Sequence, residues 1–481
     1  MLLVYDVLLA ENREFYDRGA DMVRYILAAV VIGVYLITIP AYAVRGKGIA
    51  HPKNVILIVV DTLAADRLGF MDYDRDTSPF LDEFASKSII FDRAYTPKST
   101  TMPAFTSILS GLHPSQHGVI ENGHKIPDDL HFLTEDLQDA GFETWGIPSA
   151  RVVGRQFGFD RGFDYYANTS AIPHTADEMY ERLDRILKNS PLNGEPSLRS
   201  VNKPLFLMLH FYDTHTPFQP DEEFLKEFAD PEYKGQVDGT WEQFEKYNKY
   251  EIEYNAADLK HASDLYDAEI RTFDEKLRRM FGLLDEVGLL DSSIIILTAD
   301  HGENLGEHHF ITHGNPYEPA LHVPLLVHFP DNISSGKRIS TVVENSDVLP
   351  SILDLYDVEL PHEMYGQSFI PLITHDHERD YSQRERFYSV GNSTDGGRMY
   401  GVFDGRYRLI VDTGKPDGGE LYDVISDPKE TVNLINDEPE LSTILSRHLD
   451  EFISEMSDTV KSEAVMDDET REALASLGYL Q

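Results

Sequence analysis

"NVILIVVD", residues 54–61, decides the fold. It is an unbroken run of β-branched and aliphatic residues that stops at an acid. A strand with one wet face alternates apolar and polar side chains; an unbroken run reads as a strand covered on both faces, the habit of parallel sheets. "FETWGIPS" (142–149), "PLFLMLHF" (204–211), "SSIIILTAD" (292–300) and "VPLLVHF" (323–329) read the same way. Helical stretches separate them, among them "SPFLDEFASKS" (78–88), "DLYDAEIRTFDEKLRRMFGLLDEVG" (264–288) and "DVLPSILDLY" (347–356). This alternation predicts an α/β domain over 54–375, with a mostly parallel central sheet flanked by helices. From about residue 376 the texture changes. "GRMYGVFDGRYRLIVDT" (397–413) alternates around a "DG" turn, like an antiparallel hairpin, and "LSTILSRHLDEFISEM" is an amphipathic helix. Residues 376–481 are therefore expected to form a smaller α+β subdomain.

The chain of 481 residues has a net charge of −41. Residues 1–53 are nearly balanced, so the remainder holds 36 basic against 78 acidic residues. Such a surface repels nucleic acid and anionic lipid, and no nucleic-acid partner is expected. Acid spread along that remainder reads as adaptation to high salt, where repulsion is screened. There is no cysteine, which removes disulfides, thiolate nucleophiles and Cys-ligated metals.

"YILAAVVIGVYLITIPAYAV" (25–44) carries no charge over about the length that spans a bilayer. It predicts one transmembrane helix within an N-terminal segment, 1–48, and a single-pass membrane protein. A signal peptide is the alternative, since "AYA" at 41–43 resembles a cleavage site, but the preceding segment is long and contains acids. Arg13, Arg18 and Arg24 precede the span, and Arg45, Lys47 and Lys53 follow it. That tie leaves orientation open, with the extracellular side preferred for the domain that follows.

In open sheets, ligands bind beyond the carboxyl ends of the strands. Asp61 ends one strand, Asp300 and His301 end another, and Asp213 and His215 follow a third in "HFYDTHTPF". An acid after a strand often just caps a helix, but five such residues aimed at one edge suggest a site. Carboxylates with imidazole suit one or two divalent ions, Zn²⁺ or Mn²⁺ ahead of Ca²⁺. "KSTTMPAF" (98–105) supplies hydroxyls at the start of a helix with Pro103 in its first turn and Gly111 at its end. Thr101 there is either a cap or a nucleophile favoured by the helix dipole and a metal.

The chain resembles the sulfatase branch of the alkaline phosphatase superfamily from 54 to 481. "NVILIVVDTLAADRLGF" looks like its opening strand, "TMPAFTSILSGLHPSQHGV" its nucleophile segment and "LTADHGENLGEHH" its second metal motif. "YEPALHVPLLV", "DVLPSILDLYDVELP", "GQSFIPLI", "ELYDVISDP" and "LASLGYL" follow in the family's order. The resemblance implies that Asp61, Asp300 and His301 are metal ligands and places Thr101 where most sulfatases have the cysteine converted to formylglycine. It implies a Thr nucleophile and no formylglycine, because no Cys is present and Ser99 is out of register with Pro103. Phe105 stands at the motif's Arg, and Thr62 at the second acid of the opening pair.

Thr nucleophiles occur in relatives that cleave phosphoesters. "HFYDTHTP" and "HGNPYE" also resemble lipid A phosphoethanolamine transferases. Strand-end placement adds Asp213 to the metal set with Thr101 and the ligands above, and the likenesses assign His215 and His313 to catalysis with Thr101, and His210 and His308 to substrate. A buried core role is the alternative for His210. Glu303 and His309 are read as solvated loop, and Asp66 as a salt-bridge partner of Arg67 or Arg93. The expected activity is a metal-dependent hydrolase of sulfate or phosphate esters acting through a Thr101 covalent intermediate, on a glycan or lipid substrate. The alternatives are a membrane-anchored phosphoethanolamine-type transferase and a non-catalytic glycan binder.

Overall fold

A computed structural model describes residues 52–170, 172–192, 194–330, 335–360, 364–374, 384–393, 397–415, 419–456 and 468–479. The apolar 25–44 segment lies outside the described residues, as does the boundary drawn at 375/376. Among the described residues no helix is long and apolar enough to cross a membrane.

The central sheet contains eight strands: β1 (Asn54–Val60), β2 (Ile89–Phe91), β3 (Glu143–Pro148), β4 (Tyr165–Tyr166), β5 (Leu205–Phe211), β6 (Ser293–Ala299), β7 (Leu325–His328) and β8 (Arg338–Ile339). Their order across the sheet is β8-β2-β7-β6-β1-β5-β3-β4. β6, β1, β5, β3 and β4 run parallel. All seven residues of β1, β5 and β6 are buried, as an unbroken apolar run requires. The sheet is nevertheless mixed, because β7 runs antiparallel to both β6 and β2. A strand covered on both faces is equally apolar in either direction, so "VPLLVHF" could not reveal its own polarity.

Helices pack around this sheet. α1 (Pro79–Ser86) begins where Asp274 accepts hydrogen bonds from the Phe80 and Leu81 N–H groups, both at 2.8 Å. α2 (Thr101–Ser110) is buried along its whole length and ends at Gly111 with φ +67°, the left-handed turn that glycine tolerates best. α3 (Ala176–Leu187) and the 31-residue α4 (Ala256–Glu286) follow.

A second sheet is an antiparallel meander of β9 (Phe387–Asn392), β10 (Arg398–Phe403), β11 (Tyr407–Asp412) and β12 (Gly419–Asp423). Its side chains alternate between two cores. Tyr400, Val402, Leu409 and Leu421 face α5 (Pro439–Met456) through Leu445, Leu449 and Phe452. Met399, Phe403, Ile410 and Tyr422 face Tyr95, Tyr317, Leu321 and Val342 of the main body. Both faces of the meander are therefore covered. α6 (Asp468–Ser476) completes the described chain.

Candidate active site

β1 lies between β5 and β6, and the register decides what meets at its end. Val59 pairs with His210 on β5, and Val60 with Ala299 on β6. Asp61 and Asp300 therefore leave adjacent strands at one level, with His210 beside them. One donor atom from each of Asp61, His210 and Asp300 lies within 4.8 Å of the others. His301 Nε2 is 3.7 Å from Asp61 Oδ1 and 3.7 Å from Asp300 Oδ2. All four side chains are fully buried.

This donor set fits a divalent cation. Asp61 Oδ1, Asp300 Oδ2 and His210 Nε2 have no hydrogen-bond partner, a costly state for buried polar atoms. Burial and the Asp300 charge push the Asp61 carboxyl well above its usual range, and burial raises Asp300. Two carboxylates in a dry pocket call for positive charge. Burial holds His301 down to about 4 and His210 to about 3, so both imidazoles are neutral, the form that ligates metal. His301 Nδ1 donates to the Gly302 carbonyl at 3.0 Å, which leaves the lone pair on Nε2. Thr62, in the left-handed region at φ +61°, donates its N–H to Asp300 Oδ1 at 3.3 Å and fixes the other oxygen of that carboxylate.

Thr101 is the first residue of α2, and its Oγ1 lies 3.4 Å from His301 Nε2. Its neighbours serve the loop. Ser99 Oγ donates to the Asn315 carbonyl at 2.6 Å, and the Gly314 N–H donates to the Ser99 carbonyl at 3.0 Å. Thr100 is the N-cap residue and makes no side-chain cap bond. Thr101 is thus the hydroxyl of this segment that faces the carboxylates. Phe105 is fully buried, edge-on to His210 and Phe159 with ring centroids 5.3 and 5.6 Å apart.

Imidazoles line the other side. The His313 ring centroid lies 4.4 Å from that of His301 and 5.0 Å from that of His215. His215 Nδ1 donates to the Thr216 carbonyl at 2.7 Å, leaving Nε2 buried without a partner. His313 borders a cleft of about 430 Å³ whose wall also includes Thr100, Glu121, Trp241, Asn248 and Tyr479. Two of its lining residues touch the buried group: His313 beside His301, and Tyr479 on Asp61.

Two expected members are elsewhere. Asp213 is not a ligand of this cluster: its Oδ1 accepts from the Ala176 N–H at 2.9 Å, at the start of α3, with Lys276 Nζ at 3.9 Å. Two residues beyond β5 the chain has already turned, so this acid serves a helix end. His308 does not reach the cleft either. It stacks on Tyr317 at 3.7 Å, its Nε2 lies 3.7 Å from Glu430, and it borders a separate cavity of about 240 Å³. Asp66 lies beside Arg67, as read.

Two residues escaped sequence reasoning. Glu303 is buried, not solvated, with Oε1 3.2 Å from His313 Nδ1. The short hairpin pairing Asn304–Leu305 with Ile311–Thr312 brings them together, and its strands are too short to leave a periodic signal. Tyr479 donates its phenol hydrogen to Asp61 Oδ2 at 2.7 Å across 418 residues of sequence. The "LASLGYL" segment was recognisable, but nothing in it indicates that contact.

Known proteins agree with this architecture. The Sulfatase family model matches residues 53–358, and a model described as N-sulphoglucosamine sulphohydrolase, C-terminal, matches 306–458. An arylsulfatase of Clostridium perfringens is 25% identical over 445 residues, covering 80% of this chain and 90% of its own. An N-acetylglucosamine-6-O-sulfatase of Bacteroides thetaiotaomicron is 23% identical, covering 79% of this chain and 82% of its own. Among solved structures, a protein in complex with its substrate D-glucosamine-2-N,6-O-disulfate superposes with TM-score 0.68 at 20% identity, over 87% of this chain and 100% of that one. The phosphonate monoester hydrolase of Agrobacterium radiobacter superposes with TM-score 0.66 at 17% identity, over 85% and 96%. With a family model spanning the strands that carry Asp61, Asp300 and His301, this chain belongs to the sulfatase family, ester-bond hydrolases of the alkaline phosphatase superfamily.

Proposed function

We propose that the chain hydrolyses an ester of sulfuric or phosphoric acid through a covalent intermediate on Thr101. The observation that carries this is the position of Thr101 Oγ1, at the N-terminus of a buried helix and 3.4 Å from His301 Nε2. Asp61, Asp300 and His301 would hold a divalent cation, Zn²⁺ or Mn²⁺ by donor type, with His210 within reach of the same group. When bound, the cation supplies the positive charge that lowers the cost of an alkoxide at Thr101.

Thr101 Oγ1 attacks sulfur or phosphorus in line and forms the new S–O or P–O bond. The bond from that centre to the substrate's ester oxygen breaks, and the alcohol leaves with a proton. His215 and His313 face the remaining oxygens, and the dipole at the start of α2 favours their negative charge. Water then attacks the same sulfur or phosphorus, and the bond to Thr101 breaks. This second attack is obligatory. A formylglycine hydrate can expel its ester by elimination, whereas a Thr ester has no second hydroxyl on that carbon.

Relatives whose names describe sugar sulfatases support a sulfated glycan as substrate. The chemistry of a Thr ester supports phosphate. The 25–44 segment supports a membrane-anchored enzyme acting on surface glycan or lipid.

The test compares chromogenic aryl sulfate, phosphate monoester and phosphate diester with added Zn²⁺, Mn²⁺ or Ca²⁺. Thr101→Ala should lower turnover of the preferred ester by at least about a thousandfold. It should also abolish the mass shift of a trapped intermediate. Wild-type turnover in Thr101→Ala would overturn the proposal.

A further inference from the structure

Tyr479 reaches the candidate cation site from the far end of the described chain. Its phenol donates to Asp61 Oδ2 at 2.7 Å, and the residue is 3% exposed. The other oxygen, Oδ1, is left without a hydrogen-bond partner and lies 3.7 Å from His301 Nε2. The two oxygens of Asp61 are thus divided, one held by Tyr479 and one presented to His301. A carboxylate free to rotate presents neither oxygen consistently, and ordering it on cation binding costs entropy.

The local sequence is built to deliver this phenol. Gly478 ends α6 at φ +81°, with its N–H donating to the Ala475 carbonyl at 3.1 Å, while the Tyr479 N–H donates to the Leu474 carbonyl at 2.9 Å. That turn sends the chain back toward the cleft. Gly478 passes so close to Trp241 that a Cβ there would overlap the indole. The Tyr479 ring then packs against His215, with centroids 4.8 Å apart. Glycine is needed twice over, for its backbone angle and for the approach to Trp241.

We infer that Tyr479 is a positioning residue for cation binding: packed against His215, it holds Asp61 so that Oδ1 faces His301. The inference rests on the cation reading above and adds that residues 478–479 complete the site. Partners that orient a metal-binding side chain are worth about tenfold to a hundredfold in metal affinity.

The experiment uses the full-length chain stripped of metal and titrated with Mn²⁺ or Zn²⁺, with affinity read by competition against a chromophoric chelator. Four proteins are compared: wild type, Tyr479→Phe, Gly478→Ala and Asp300→Asn. Tyr479→Phe keeps the ring and loses the hydrogen bond, so its affinity should fall about tenfold to a hundredfold while its circular dichroism stays that of the folded wild type. Gly478→Ala displaces the same phenol through another residue and should weaken binding comparably, which protects the test if one variant misfolds. Wild-type affinity in both, with Asp300→Asn impaired, overturns the role of Tyr479 and leaves the cation reading standing. So does a rise in KM with unchanged metal affinity, the signature of a mere lid. Absence of binding in the wild type overturns both readings together.

Discussion

Glu303 and His313 form a buried pair, with Oε1 3.2 Å from Nδ1, although ten residues separate them in sequence. Burial favours the neutral forms, raising the Glu303 carboxyl and holding His313 down to about 3. In either net-neutral arrangement, acid with neutral imidazole or carboxylate with imidazolium, a proton lies between the two and His313 Nε2 carries its own hydrogen. Nε2 is therefore a donor available to a sulfuryl or phosphoryl oxygen. Glu303→Ala should lower kcat by roughly tenfold to a hundredfold, the scale of a lost orienting partner. Glu303→Gln should retain more activity, because its amide can still donate to Nδ1. Equal activity in both variants and the wild type, read by steady-state kinetics, would separate this pair from catalysis.

The second prediction concerns stability without metal. Asp61 and Asp300 bring two carboxylates into one fully buried group, each with an oxygen lacking a partner. A cation that binds only the folded chain stabilises it by about 2.7 kcal/mol at a hundred times its dissociation constant. Chelation should therefore lower the unfolding temperature of the wild type. Asp300→Asn removes one charge, so its metal-free form should be as stable as the metal-free wild type or more so. It should also be indifferent to chelator. Differential scanning calorimetry with and without chelator measures both effects.

Sequence exposed the parts of this site that follow directly from strand geometry. Asp61, Asp300 and His301 each come at or just after the last residue of a buried strand, where a parallel sheet leaves no choice of edge. His210 lies inside β5, where alternation decides which face a side chain takes, and an unbroken apolar run hides that alternation. Asp213 failed for the opposite reason: beyond the strand, its direction depends on a turn. Glu303 and Tyr479 depend on contacts made after folding, across a short hairpin in one case and most of the chain in the other.

The third prediction follows from charge. Beyond residue 53, 78 acidic residues face 36 basic ones, so the folded state carries strong self-repulsion at low ionic strength. Raising salt from 0.1 to 1 M shortens the screening length from about 10 to about 3 Å. The unfolding temperature should accordingly rise by several degrees in KCl over that range. A flat response would mean that the acid is too well paired or too widely spaced to matter, and would remove the argument for a saline habitat.

The last prediction is a pH dependence away from the active site. His113 is buried at the start of a short helical turn. Its Nε2 donates to the Tyr388 carbonyl at 3.1 Å, and its Nδ1 accepts from the Ser115 N–H at 3.2 Å. Burial holds it down to about 4, against an ordinary value of 6.5. Protonation would also set a second N–H against the Ser115 donor. The sign follows from proton counting. Between pH 6.5 and 4 the unfolded chain takes up a proton at this residue that the folded chain refuses, so stability falls as pH falls. The full contribution is present above 6.5 and is lost toward 4, at about 1.4 kcal/mol per pH unit and on the order of 3 kcal/mol across the window. Other buried groups titrate in the same range, including Glu344 and Glu430, which burial raises to about 7 and which act in the opposite direction. The measurable quantity is therefore a difference. His113→Gln should be less stable than the wild type at pH 7, and that gap should close by about 1.4 kcal/mol per pH unit as pH drops below 6. Urea unfolding midpoints of both chains from pH 7 to 5 would show it, and parallel curves would mean that His113 titrates normally in the folded protein.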